Sequence, residues 1–124
     1  MKHEEDAAAV FDQDQALECF DGDMGLLLEI ARMFLAEGAG RLEEIREGLK
    51  IRDAPALAGA AHRLRGSCGA LGATLAAEAA QTLESLAAQG DFSKIEGAVA
   101  ALERETARLR LALESLVKSQ SVGG

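Results

Sequence analysis

The stretch IEGAVAALERETARLRLALESL, residues 95–116, decides how the rest of the chain is read. Ile95, Val99, Leu102, Thr106, Leu109, Leu113 and Leu116 recur at alternating spacings of four and three, which lays them along one side of a helix. A stripe this regular is the seam of an antiparallel bundle, because it has to be covered by helices of comparable length. A coiled-coil dimer built on this helix is the structural alternative.

The rest of the chain supplies the covering helices. A short one is expected from about Asp14 to Phe20 after a cap at Asp12, and the DGD break at residues 21–23 offers Asp23 as cap for a long one reaching about Ile51. Its apolar stripe is Leu27, Ile30, Phe34, Leu35, Leu42, Ile45 and Leu49. Arg52 and Asp53 make the next turn, with Asp53 as cap and Pro55 in the first turn of a helix that stops near Gly72. Thr74 is the expected cap of a helix from Leu75 to about Ala88, with the stripe Leu75, Ala79, Leu83 and Leu86 and a stop at Gly90. No stretch alternates with the period of a strand. The expected fold is all-α: an antiparallel four-helix bundle over residues 11–118 with a short extra N-terminal helix, between loose ends at 1–10 and 119–124.

Composition bounds the function. The 124 residues amount to one domain, and 48% hydrophobic content is enough to close a single core. With 13 Lys+Arg against 21 Asp+Glu, the formal charge of -8 argues against a nucleic-acid partner, and four Phe without Trp or Tyr make a poor stacking surface. No apolar run approaches the ~20 residues that span a bilayer. The acidic start MKHEEDAAAV is also unlike a signal peptide. A soluble cytoplasmic monomer without a membrane partner is expected. Cys19 and Cys68 lie on apolar stripes without a CxxC partner, and both are read as buried reduced thiols.

The stretch AHRLRGSCGALGA, residues 61–73, carries the chemistry. At about 100° per residue, Leu57, Ala61, Leu64, Cys68 and Leu71 share one buried arc, and His62 points roughly 140° away from its centre. Around it stand Ala58, Gly59, Arg63, Arg65, Gly66 and Gly69. Each interior glycine costs a helix about 0.5–1 kcal/mol relative to alanine, so Gly59, Gly66 and Gly69 call for an offsetting use. Gly72 serves as a helix end; Gly66 and Gly69 suit the approach of another molecule to His62. No Asp or Glu occurs between Asp53 and Glu78, which reads as an acid-free face that would tolerate a phosphoryl group or dock against an acidic pocket.

His62-Arg63-Leu64-Arg65-Gly66-Ser67 resembles the H-x-L-K-G-S signature of histidine-containing phosphotransfer (HPt) domains. Gly72-Ala73, Leu75 and Leu83-Glu84 follow as that family has them, and Phe11-Asp12, Ala16-Leu17, Gly22-Asp23, Phe34-Leu35 and the Asp53 turn resemble its opening half. The resemblance implies that His62 accepts a phosphoryl group from a receiver-domain aspartate and passes it to another, linking hybrid sensor histidine kinases to response regulators. It gives Arg65 the place of the motif's lysine, beside the phosphoryl group, and makes Gly66 the small residue that opens access to the imidazole. Ala58, Gly59, Arg63 and Gly69 are the expected partner-contacting residues. An imidazole suits the reaction because a good fraction is neutral and nucleophilic near pH 7. No metal or cofactor is expected on this chain; Mg²⁺ is expected from the receiver's acidic pocket.

Other chemistries fit less well. The chain lacks the phosphate loop of an autonomous kinase, and Gly66-x-x-Gly69-x-x-Gly72 follows no strand, so a phosphohistidine carrier is expected instead. The stretch DGDMG lacks the later acidic positions of a calcium loop. A Cys–His nucleophile pair from His62 and Cys68 would need a broken helix, and His3 lies in an expected loose end. The alternative from another class is a docking or inhibitory bundle that binds a kinase or receiver without phosphoryl transfer.

Overall fold

A computed structural model describes residues 7–123 of the chain. A helical turn at residues 7–10 precedes α1 (Gln13–Cys19), α2 (Met24–Lys50), α3 (Ala54–Ala70), α4 (Thr74–Gln89) and α5 (Phe92–Gly123), and there is no strand among the described residues. Helix α2 packs on α3, α3 on α4, α4 on α5, and α5 back on α2, which closes a four-helix ring; α1 lies at one end. This is the expected all-α bundle with a short extra helix before it.

Polar caps set three of the helix starts. The Asp12, Asp23 and Asp53 carboxylates accept from the backbone N–H groups of Gln15, Leu26 and Ala56 at 3.0–3.1 Å. Each such cap is worth about 1 kcal/mol. Gly90 ends α4 at φ +70°. Gly72 does more than end α3. Its φ is +67°, a Cβ there would lie 2.7 Å from the Asp12 carbonyl oxygen, and its own oxygen accepts from Asp12 N–H at 3.1 Å. The missing side chain is therefore what lets α1 dock on the α3–α4 turn.

The core has two layers. Ile45, Leu57, Leu64, Leu83, Ile95 and Leu102 fill one; Leu27, Cys68, Leu71, Leu109 and Leu113 fill the other, which Ala16 of α1 helps seal. A fully buried leucine or isoleucine contributes about 1.5–3 kcal/mol relative to an exposed one, so these layers dominate the fold's stability. Thr106, the one polar residue of the α5 seam, is buried with its hydroxyl donating to the Leu102 carbonyl at 2.8 Å. A satisfied hydroxyl can stand in an apolar stripe.

Several expectations are corrected. Helix α4 begins one residue earlier than expected, with Ala73 as N-cap and no side-chain cap bond; Thr74 is an exposed helical residue. The cap position falls inside the core, where Ala73 is fully buried and apolar. The innermost residues of α4 are Ala76, Ala80, Leu83 and Ala87; of the expected stripe Leu83 is buried, whereas Leu75, Ala79 and Leu86 are half-buried. Close approach of α3 turns the alanines inward and leaves Leu75 and Leu86 on the flanks. Cys68 is buried, but Cys19 is exposed at the last position of α1, whose inward side is Ala16. Residues 119–123 continue α5 instead of forming a loose tail, since no Gly or Pro interrupts the helix between Gly97 and Gly123. Of the expected loose start, residues 7–10 form the helical turn, with Phe11 N–H donating to the Ala7 carbonyl at 3.0 Å, and residues 1–6, including His3, lie outside the described residues.

Candidate phosphotransfer site

Helix α3 presents His62 opposite its buried arc, and the side chain is 61% exposed. Leu57, Ala61, Leu64 and Cys68 anchor the helix beneath it, so the ring stands on a fixed base. Cβ atoms at Gly66 and Gly69 would meet nothing within 4 Å. Neither glycine is needed for internal packing; both clear the surface on His62's side of the helix.

The face is not acid-free. Helix α4 brings Glu84 against His62, with Nδ1 and Oε2 2.9 Å apart. Arg65 Nε donates to the other carboxylate oxygen at 2.9 Å, and its Nη2 lies 3.0 Å from the same His62 Nδ1. The helix that carries His62 is itself free of acids there, and the carboxylate comes from a neighbouring helix 22 positions along the chain. Arg65 thus meets the ring at Nδ1.

The remaining expected residues divide between two sides. Arg63 crosses to α2 and donates to Glu44 at 3.0 Å, with its guanidinium 3.7 Å from the Cβ position of Gly59. Ala58 is partly buried and packs on the core, so it offers a partner less surface than expected. Gly66 borders a cavity of about 320 Å³ between α2 and α3, lined also by Phe20, Ile30, Met33, Phe34 and Ala70. Met33 is 50% exposed there. Gly69 and Arg65 border a shallow polar hollow with Gln15, Thr74 and Gln81.

Glu84, Glu44, Ile30 and Met33 were not singled out from the sequence as site residues. Glu84 had a signal, since Leu83-Glu84 is part of the family resemblance, but its facing depends on the register between α3 and α4. Cys68 takes no part: burial pushes its thiol up to about 12, which leaves it protonated and inert at neutral pH. Among the described residues, no group of three or more His, Cys, Asp or Glu is placed to hold a metal ion, and no helix is long and apolar enough to cross a membrane.

A closed antiparallel bundle that presents an exposed histidine on its second long helix, with one ring nitrogen held against a neighbouring helix, is a histidine-presenting four-helix bundle. Residues 29–118 match the Hpt domain family, and the chain belongs to that family. Two solved structures share the fold. One is the histidine-containing phosphotransfer protein B (HptB) from Pseudomonas aeruginosa PAO1, at 23% identity and TM-score 0.81, with 88% of this chain and 95% of that one covered. The other is the HPT domain of an Hpt sensor hybrid histidine kinase from Shewanella, at 19% identity and TM-score 0.82, with 90% and 97% covered. The comparison with curated proteins gave no match.

Proposed function

We propose that this Hpt domain relays a phosphoryl group between receiver-domain aspartates, with Nε2 of His62 as the atom that carries it. The observation that carries the reading is the contact of Nδ1 with Glu84 at 2.9 Å beneath a ring whose outer edge is open. When Nδ1 holds the proton and donates it to the carboxylate, the lone pair is on Nε2 and faces outward. That lone pair attacks the phosphorus of the receiver's aspartyl phosphate, the N–P bond forms, and the P–O bond to aspartate breaks. Its electron pair stays on the released carboxylate. The Nδ1 proton is retained, so the ring becomes a phosphoryl-imidazolium whose positive charge lies against Glu84. The charged ring is a good leaving group, and return of the phosphoryl group to a second receiver aspartate reverses each step.

The surroundings support the same reading. Gly66 and Gly69 leave room for a receiver's active-site loops, and the α2–α3 groove offers an apolar ledge at Met33 and Ile30 beside them. Gly59 and Arg63 border the imidazole on the same α2 side, with Arg63 held by Glu44, and Ala58 lies one helical turn before the ring. Mg²⁺ is supplied in this proposal by the receiver's carboxylates, where it offsets charge on the moving phosphoryl group. The proposal extends to partners among response regulators and hybrid sensor histidine kinases, and to a cytoplasmic, monomeric protein. Light scattering tests its oligomeric part.

A two-variant experiment separates transfer from docking. His62→Gln is expected to bind a phosphorylated receiver and accept no phosphoryl group. Gly66→Leu, whose Cβ meets nothing within 4 Å, is expected to lose both by covering the approach to the ring. If His62→Gln signals normally and Gly66→Leu alone is defective, the chain is a docking protein and the relay reading is wrong.

A further inference from the structure

Nδ1 of His62 has two close partners that require opposite things of it. Glu84 Oε2, at 2.9 Å, is an acceptor and needs a proton on Nδ1. Arg65 Nη2, at 3.0 Å, is a donor and needs a lone pair there. A guanidinium keeps its protons, so a neutral imidazole satisfies one partner or the other. With the proton on Nδ1, the contact to Arg65 sets N–H against N–H. With the proton on Nε2, the carboxylate faces a lone pair, and Nε2 has no electron pair with which to attack phosphorus.

We propose that Arg65 is a latch on the nucleophile: by competing with Glu84 for Nδ1, it holds part of the resting population in the Nε2–H tautomer, which cannot accept a phosphoryl group. Release of the latch rests on the relay proposed above; the competition for Nδ1 stands on the contacts alone. Arg65 is 40% exposed at the edge of the polar hollow, and a single carboxylate, Glu84, holds it through Nε. A receiver's acidic pocket brought over the ring offers the guanidinium further carboxylate and phosphoryl oxygens. Once it swings outward, Nδ1 passes to Glu84 alone, and the proton moves from Nε2 to Nδ1 through the solvent that reaches this exposed ring. The same swing carries Arg65 toward the phosphoryl group. A residue that restrains the free histidine then stabilises the engaged one.

The tautomer ratio is measurable without any partner. Long-range ¹H–¹⁵N correlation spectra of the full chain, above the ordinary titration range of histidine, distinguish Nδ1–H from Nε2–H rings; His62→Gln identifies the signals by their loss. The Nδ1–H share is expected to rise in the order Glu84→Ala, wild type, Arg65→Ala. The ratio should change on the order of fivefold at each step, the factor that one net hydrogen bond carries. Arg65→Lys, whose shorter ammonium lacks the fork that spans Glu84 and His62, is expected to fall between wild type and Arg65→Ala. An unchanged ratio in Arg65→Ala, or a lower Nδ1–H share than in wild type, overturns the latch. Failure of the relay is a separate result, because it appears as absence of phosphoryl transfer to wild type and leaves these spectra as they are.

Discussion

The α3–α4 seam and the middle of α2 lie on opposite sides of His62 and are built differently. At the seam, Ala60, Ala61, Leu64 and Cys68 meet Ala76, Ala80, Leu83 and Ala87, all buried. Along α2, no residue between Ala31 and Ile45 is fully buried, and Phe34 stands half-buried between the α2–α3 cavity and one of about 290 Å³ between α2 and α5. Small residues let two helices approach until the space is filled, whereas a half-buried aromatic on a loosely seated helix leaves voids on both sides. The nucleophile and Glu84 sit on the filled half, where a shift of either would disturb a packed interface. The groove beside Gly66 belongs to the loose half, which can move a side chain without breaking the core. Positional accuracy and adaptability are thus assigned to different helices of one small bundle.

That division breaks first under truncation. Leu83→Ala should cost about 3 kcal/mol, because its site cannot collapse, and Phe34→Ala only about 1 kcal/mol, because voids already flank the ring. Urea midpoints for the pair check this, and equal losses would erase the contrast. Next in size is Gly72→Ala, expected to cost about 2 kcal/mol from the left-handed backbone and the collision with the Asp12 carbonyl. Its loss should appear as weaker hydrogen-exchange protection in α1 as well as a lower melting point.

The smallest effect concerns the two thiols. Cys19 should react with an alkylating reagent in the native state and Cys68 only on unfolding, which sharpens the picture of a closed seam. Burial raises the Cys68 thiol from 9.0 to about 12, so the folded state keeps its proton where the unfolded state loses it. This contribution to stability is complete below pH 9.0 and declines as pH rises toward about 12. Cys68→Ala should flatten that alkaline decline in denaturant midpoints.

How much was legible in the sequence follows the same line between local and non-local. The helix starts at Asp12, Asp23 and Asp53 and the stops at Gly72 and Gly90 are settled within a turn or two of chain, and they lie where the sequence puts them. The outward direction of His62 is a matter of helical angle and was equally readable. What crosses between helices was not. Glu84 reaches His62, Arg65 turns back onto that carboxylate, and α4 rolls its alanines inward only because α3 comes so close. The Ala73 cap and the exposure of Cys19 depend likewise on what neighbouring elements cover. The cavities beside Phe34 have no sequence signature, since voids record what fails to meet.

The central claim is that His62 carries the phosphoryl group, and the direct measurement is transfer of radiolabelled phosphate from a phosphorylated receiver domain to the full chain with Mg²⁺, run beside His62→Gln. The account predicts label on the wild type alone, lost in acid and stable in alkali, as a phosphorus–nitrogen bond requires. Label on His62→Gln, or none on a folded wild type across a broad panel of receivers, would contradict it.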